Sequence, residues 1–179
     1  MIARRALTFG LAVGGLLCSP SPALAQTRCV STAEAEALTL VTLPAIIRQT
    51  GTMCSARVPA ASLLRQTRGA FIARYDEAAD RAWPTARSAI TKLTDPMIQG
   101  MLDSAYARPL LGTLVAPLLV GQIKPQDCGT IDRLVTQLAP LPPRNTASVI
   151  VTAVQFLQAE KARGAAVTVP DLPLCPAPK

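Results

Sequence analysis

The chain has 179 residues, half of them hydrophobic and only 3% aromatic, and carries 18 basic against 11 acidic side chains for a net charge of +7. The absence of histidine excludes Ser-His-Asp and Cys-His catalytic arrangements and any histidine metal site. So few aromatics supply no stacking platform for nucleic acid, which is therefore not an expected partner. The basic residues are scattered singly, a pattern that serves solubility and favours anionic partners such as membrane or wall polymers.

The first residues read as a secretory signal. Arg4 and Arg5 form a basic start, Leu7 to Leu17 an apolar run, and Ala23-Leu24-Ala25 a small-x-small cleavage site. The apolar run is shorter than the roughly 20 residues that span a bilayer, and no transmembrane segment is expected in the mature chain. Lipid attachment at Cys18 needs a small preceding residue, and Leu17 is bulky, so Cys18 is expected to leave with residues 1–25. What remains is one helical domain over residues 26–164 and an extended proline-rich tail over residues 165–179, with 16 basic against 11 acidic side chains. The expected location is the periplasm or the exterior.

Ser31 and Glu34 form a capping box, and the helix they start is expected to stop at Gly51 with a kink at Pro44. Its apolar residues point all round the helical wheel, as in a central, buried helix. Pro59 is expected to open a second helix to about Trp83, with Leu64, Phe71, Tyr75, Ala78 and Ala82 on one face; Pro84 restarts a shorter one. Asp95-Pro96 signals a helix start whose buried face is Met97, Met101, Leu102, Ala105 and Tyr106. Residues 109–121, PLLGTLVAPLLVG, read as a proline-broken core helix. Asp127 is expected to cap a helix with an Ile131, Leu134, Val135, Leu138 stripe. Asn145 is expected to cap a last helix that ends before Gly164, with the β-branched run Val149 to Thr152 inside it. The fold class is all-α: a compact bundle of six or seven helices, several proline-kinked, with an extended tail and two disulfides.

Once Cys18 is removed, Cys29, Cys54, Cys128 and Cys175 remain, and an even count in an exported chain reads as two disulfides. Zinc fails on spacing and on the missing histidines, so no metal and no cofactor are expected. Cys29 and Cys54 flank a helix of about 18 residues, whose ends lie roughly 27 Å apart. A disulfide needs Cα atoms within about 7 Å, which excludes Cys29–Cys54 and, by elimination, Cys128–Cys175. Of the two pairings left, Cys29–Cys175 with Cys54–Cys128 is favoured over Cys29–Cys128 with Cys54–Cys175, because domain termini are often close in space. Each such bridge closes a long loop, worth roughly 4 kcal/mol on the chain-entropy model.

Three weak candidate sites stand out. Asp76 and Asp80 are i, i+4 neighbours and suit a shared proton or cation, or else a solvated face neutralised by Arg65 and Arg81. Arg68 is expected beside Leu64, Ile72 and Tyr75, where a guanidinium holds an anionic group in a pocket walled by Tyr75 and Trp83, or simply snorkels outward. Asp127, Asp132 and Arg133 beside Cys128 are explained by capping and an ion pair. There is no glycine-rich phosphate loop. The leading expectation is therefore a binding module acting on an envelope protein or polymer. The alternative is a carrier of a small apolar or anionic ligand, in a cavity around Pro44, Pro109 and Pro117 with Arg68 as anchor. An enzyme using Asp76 and Asp80 ranks last.

Overall fold

A computed structural model describes residues 28–95, 97 and 99–175. The expected signal segment with Cys18, and the tail beyond Cys175, lie outside the described residues. Within them the fold is all-helical: six α-helices, two short 3-10 turns and an extended tail.

The first helix, α1 (Thr32–Cys54), is the axis of the fold. Its capping box forms as expected: Ser31 Oγ accepts from the Glu34 amide at 3.3 Å, and Glu34 Oε2 accepts from the Ser31 amide at 3.0 Å. The helix continues through Pro44 and past Gly51. Gly51 is thus not a stop but a point of close approach, where a Cβ would lie 1.9 Å from the Leu64 carbonyl oxygen.

The expected helix from Pro59 does not form. Residues 55–69 make a loop with a 3-10 turn at Leu63–Arg65, in which Ser62 Oγ accepts from the Leu64 amide at 3.1 Å. That turn sinks Leu64 to 1% exposure without placing it on a helix. Gly69, at φ 102°, makes the corner before α2 (Ala70–Leu93), a left-handed conformation that suits glycine. Pro84 does not restart α2 but lies inside it. It sits on the solvent side with Asp80, whose carbonyl loses its partner to the proline ring, so water can satisfy that group.

Helices α1 and α2 are antiparallel: Arg48 pairs with Asp76 near one end, and Glu34 pairs with Lys92 at the other. Between them lie four small apolar clusters rather than one slab. Leu43 and Ile47 meet Ile72 and Tyr75; Ala37 and Val41 meet Ala86; Leu40 meets Ala78 and Ala147; Ala35 meets Ala89, with Val30 and Val151.

The segment after Asp95 departs furthest from expectation. Among the described residues it carries one α-helical turn, α3 (Gln99–Leu102), and of the face expected to be buried Leu102 is half-buried, whereas Met97 is 88% exposed, Met101 59% and Tyr106 81%. Next, α4 (Ala107–Val120) is one helix with Pro117 inside, and it is a surface helix rather than a core one. Its small residues Ala107, Gly112 and Ala116 turn inward with Val120, while Leu110 and Leu114 face outward. Gly112 permits the close approach, since a Cβ there would sit 3.0 Å from the Ala45 Cβ.

Helix α5 (Cys128–Leu138) lies against the Leu63–Arg65 turn, and α6 (Pro143–Ala162) returns along α1. Asp127 stands at the N-cap of α5 as expected, but its carboxylate serves the preceding Pro125–Asp127 turn, accepting from the Lys124 amide at 3.0 Å; α6 begins at Pro143, ahead of the expected cap Asn145. Leu134 is half-exposed, outside the expected stripe. The Val149 to Thr152 run is helical, and α6 ends before Gly164 as expected.

Both favoured disulfides are present, with Cα–Cα distances of 4.9 Å for Cys29–Cys175 and 5.5 Å for Cys54–Cys128. Helix length is the reason: the 23 residues of α1 hold Cys29 and Cys54 at opposite ends of a rod of about 34 Å. Residues 165–175 run extended, and a parallel bridge joins Val30 to Leu174.

Candidate functional site

The sequence candidates do not converge. Arg68 lies in the exposed bend before Gly69, off α2 and away from Leu64's helical register. Tyr75 is 2% exposed and packs edge-on to Phe71, with ring centroids 5.4 Å apart. The arginine over these rings is Arg74, 5.2 Å and 5.0 Å from their centroids, and it also donates to the Ala139 carbonyl. Sequence reading passed over Arg74, although it adjoins Tyr75 and lies three residues from Phe71, a contact spacing on a helix. Trp83, eight residues past Tyr75, packs beside the separate Ala37, Val41 and Ala86 cluster. Along a helix that is about 12 Å.

Asp76 and Asp80 are each committed to an arginine of their own. Asp76 accepts a two-pronged pair from Arg48 at 2.9 Å and 2.6 Å, and Asp80 pairs with Arg108 at 2.8 Å. The neutralising partners are therefore Arg48 and Arg108, not the expected Arg65 and Arg81; Arg81 pairs with Glu77 instead. Asp132 accepts from Ser62 Oγ, tying α5 to the loop after α1. Among the described residues no group of three or more acidic or cysteine side chains is arranged to hold a metal ion.

One carboxylate is electrostatically distinctive. Glu34, 10% exposed at its side chain, meets Lys92 Nζ at 2.6 Å. That ammonium group, helped by the Ser31 amide and hydroxyl, holds the Glu34 carboxyl below its ordinary value against the opposing effect of burial. Its role is to fasten the start of α1 to the end of α2.

The structure does form an apolar groove of about 580 Å³ that no single stretch of sequence announces. Its floor is α1, through Leu38, Leu43 and Ile46. One wall is α4, through Leu111, Val115, Leu118 and Leu119; the other is α6, through Ile150, Val151 and Val154. The tail closes one side with Pro170, Leu172 and Leu174. Pro44, Pro109 and Pro117 belong to helices that frame it, but neither they nor Arg68 line it.

Among the described residues no charged side chain lines the groove, and its threonine hydroxyls are occupied within α1. Thr39 Oγ1 donates to the Ala35 carbonyl at 2.9 Å, and Thr42 Oγ1 donates to the Leu38 carbonyl at 3.0 Å. The volume falls within the range of about 300–1,000 Å³ typical of ligand sites. A second depression of about 450 Å³, beside the first turns of α1, carries Glu36, Arg81 and Arg144 and offers a mixed, wetter surface. The sequence hint of the groove was the charge-free run 109–121 together with Val149 to Thr152; their convergence on α1 is tertiary. No family model matches the chain, and no curated protein or solved structure is significantly similar to it.

Proposed function

We propose that this protein is an exported, disulfide-stapled binding module whose groove holds a long apolar chain such as an acyl chain. The observation that carries the reading is the uncharged lining of a 580 Å³ groove whose threonine hydroxyls are already satisfied. Such a surface rewards burial of methylene groups by about 0.8 kcal/mol each and offers no partner for an ionic head, which then stays at the open side. Export to the periplasm or beyond is part of the proposal; it rests on the signal-like residues 1–25 and on two disulfides, which persist in oxidising compartments.

A titration of the oxidised protein with a fluorescent fatty acid tests the proposal. Saturable one-to-one binding is expected, weakened about tenfold or more by Val115→Trp, which fills the groove, and unchanged by Arg68→Ala. Binding that ignores Val115→Trp would refute the assignment. A second reading, docking to a membrane or another envelope surface, is favoured by the outward stripe of α4, where Leu110 and Leu114 are 45% and 61% exposed. Loss of vesicle binding in Leu110→Ser with Leu114→Ser, while fatty-acid affinity is retained, would support it. Flotation that is indifferent to both changes would remove it.

A further inference from the structure

The tail that walls the groove is fastened by a bond of a different accessibility from the rest of the fold. Residues 165–175 form no helix, yet Pro170, Leu172 and Leu174 supply one side of the cavity. Val169 is buried, and Leu172 and Leu174 pack against Val30, Ala35, Ala89 and Val151, but the backbone hydrogen bonds to the start of the fold are concentrated near the end. The Val30 amide donates to the Pro173 carbonyl at 2.8 Å, the Cys175 amide donates to the Val30 carbonyl at 2.9 Å, and Cys175 is bonded to Cys29. Elsewhere the tail has polar ties to α6: Gln158 Nε2 donates to the Pro170 and Leu172 carbonyls at 2.9 Å and 3.1 Å, and Lys161 pairs with Asp171 at 2.8 Å. The Lys161–Asp171 pair is solvated, so it adds little holding power.

The two disulfides differ in exposure. Cys54 and Cys128 are 0% and 1% exposed, enclosed by Val58 and Leu64. Cys29 and Cys175 are only half-buried, at the surface end of the tail. Thiol–disulfide exchange needs a thiolate to reach a sulfur, so a dithiol reaches Cys29–Cys175 in the folded protein, whereas Cys54–Cys128 must wait for the fold to open.

We infer that Cys29–Cys175 is a redox latch on the groove: a dithiol reduces this bond selectively, the tail lets go, and the ligand site loses a wall. The step is balanced. One thiolate of the dithiol attacks a sulfur of the pair and the second displaces the mixed disulfide; the dithiol ends as a disulfide, and its two protons and two electrons leave Cys29 and Cys175 as thiols. The inference rests on the ligand reading above and names the regulation of that same site.

The test treats the oxidised, full-length protein with graded dithiothreitol. Three measurements follow: alkylation mapping of the cysteines, hydrogen exchange at the Val30 and Cys175 amides, and affinity for the fluorescent fatty acid. Cys29 and Cys175 should be alkylated while Cys54–Cys128 stays intact, both amides should lose protection, and affinity should fall about tenfold or more. Cys175→Ser should reproduce the weaker binding without reductant. Opening of both disulfides together, retained protection, or unchanged affinity after selective reduction would each overturn the latch. If the oxidised protein does not bind the probe at all, the ligand reading fails instead, and the two failures are thereby separated.

Discussion

Gly51→Ala places one methyl group where α1 meets the Leu63–Arg65 turn. In a helix interior this exchange ordinarily gains about 1 kcal/mol, because alanine loses less backbone freedom on folding. Here the new Cβ would stand 1.9 Å from the Leu64 oxygen and 3.0 Å from its carbonyl carbon, and ordinary contact begins near 3.4 Å. The turn must retreat by about 1.5 Å, the difference between those distances. It is poorly able to do so. Leu64 is almost fully buried beside Cys54 and Cys128, the Ser62 hydroxyl binds both the Leu64 amide and Asp132, and the disulfide ties both sides together. Overpacking of this kind costs about 1–3 kcal/mol, or more where the surroundings cannot yield. Set against the helical gain, the expected net loss is about 2 kcal/mol, or about 4–8 °C in Tm for a chain of this size. Gly129→Ala in α5 is the matched control, since nothing lies within 4 Å of a Cβ there. Thermal melts followed by circular dichroism under non-reducing conditions should show Tm falling for Gly51→Ala and holding or rising for Gly129→Ala. Equal Tm values for Gly51→Ala and the unmodified protein would refute the close approach.

Glu34→Gln should destabilise the fold by about 1 kcal/mol at neutral pH, by removing the charge from the contact with Lys92, while the glutamine oxygen still accepts from the Ser31 amide. Because the Glu34 carboxyl is held below its ordinary value of 4.5 in the folded chain, its contribution is complete above that value and lost as pH falls through the lowered one. Urea melts of the two proteins should therefore diverge at neutral pH and converge in acid; a constant gap would contradict the ion pair. Replacing Cys54 and Cys128 together by alanine opens a loop spanning 74 positions, and should cost about 4 kcal/mol in denaturant unfolding. Arg74→Met keeps the apolar stem and removes the guanidinium from two aromatic rings and the Ala139 carbonyl, so a loss of about 1 kcal/mol is expected in the same assay.

What the sequence revealed was local or geometric. The Ser31–Glu34 box lies within one turn and reads directly, and the disulfide pairing follows from the rigid length of α1. What it concealed was tertiary. Leu64 shares helical spacing with Phe71, but a capped 3-10 turn and Gly69 break the register between them. Pro84 is a boundary signal that an exposed position neutralises. Residues 97–118 are apolar in a manner that ordinarily means core, yet Met97, Tyr106 and Leu114 face outward. Composition reports that apolar surface exists, not which neighbour covers it. The groove was hidden for the same reason: its walls come from α1, α4, α6 and the tail, up to 139 positions apart between Ala35 and Leu174. Arg68 was drawn to a site only by its assumed helical phase, which the loop removes.

Methyl nuclear magnetic resonance during titration of the oxidised protein with palmitate reads occupancy of the charge-free groove residue by residue. Saturable shifts are expected at the methyl groups of Val115, Val151, Val154 and Leu172, which line the groove, with Leu64 and Ile72 in the buried clusters unmoved. Shifts confined to Leu110 and Leu114 on the outer face of α4, or no saturable shift anywhere, would contradict it.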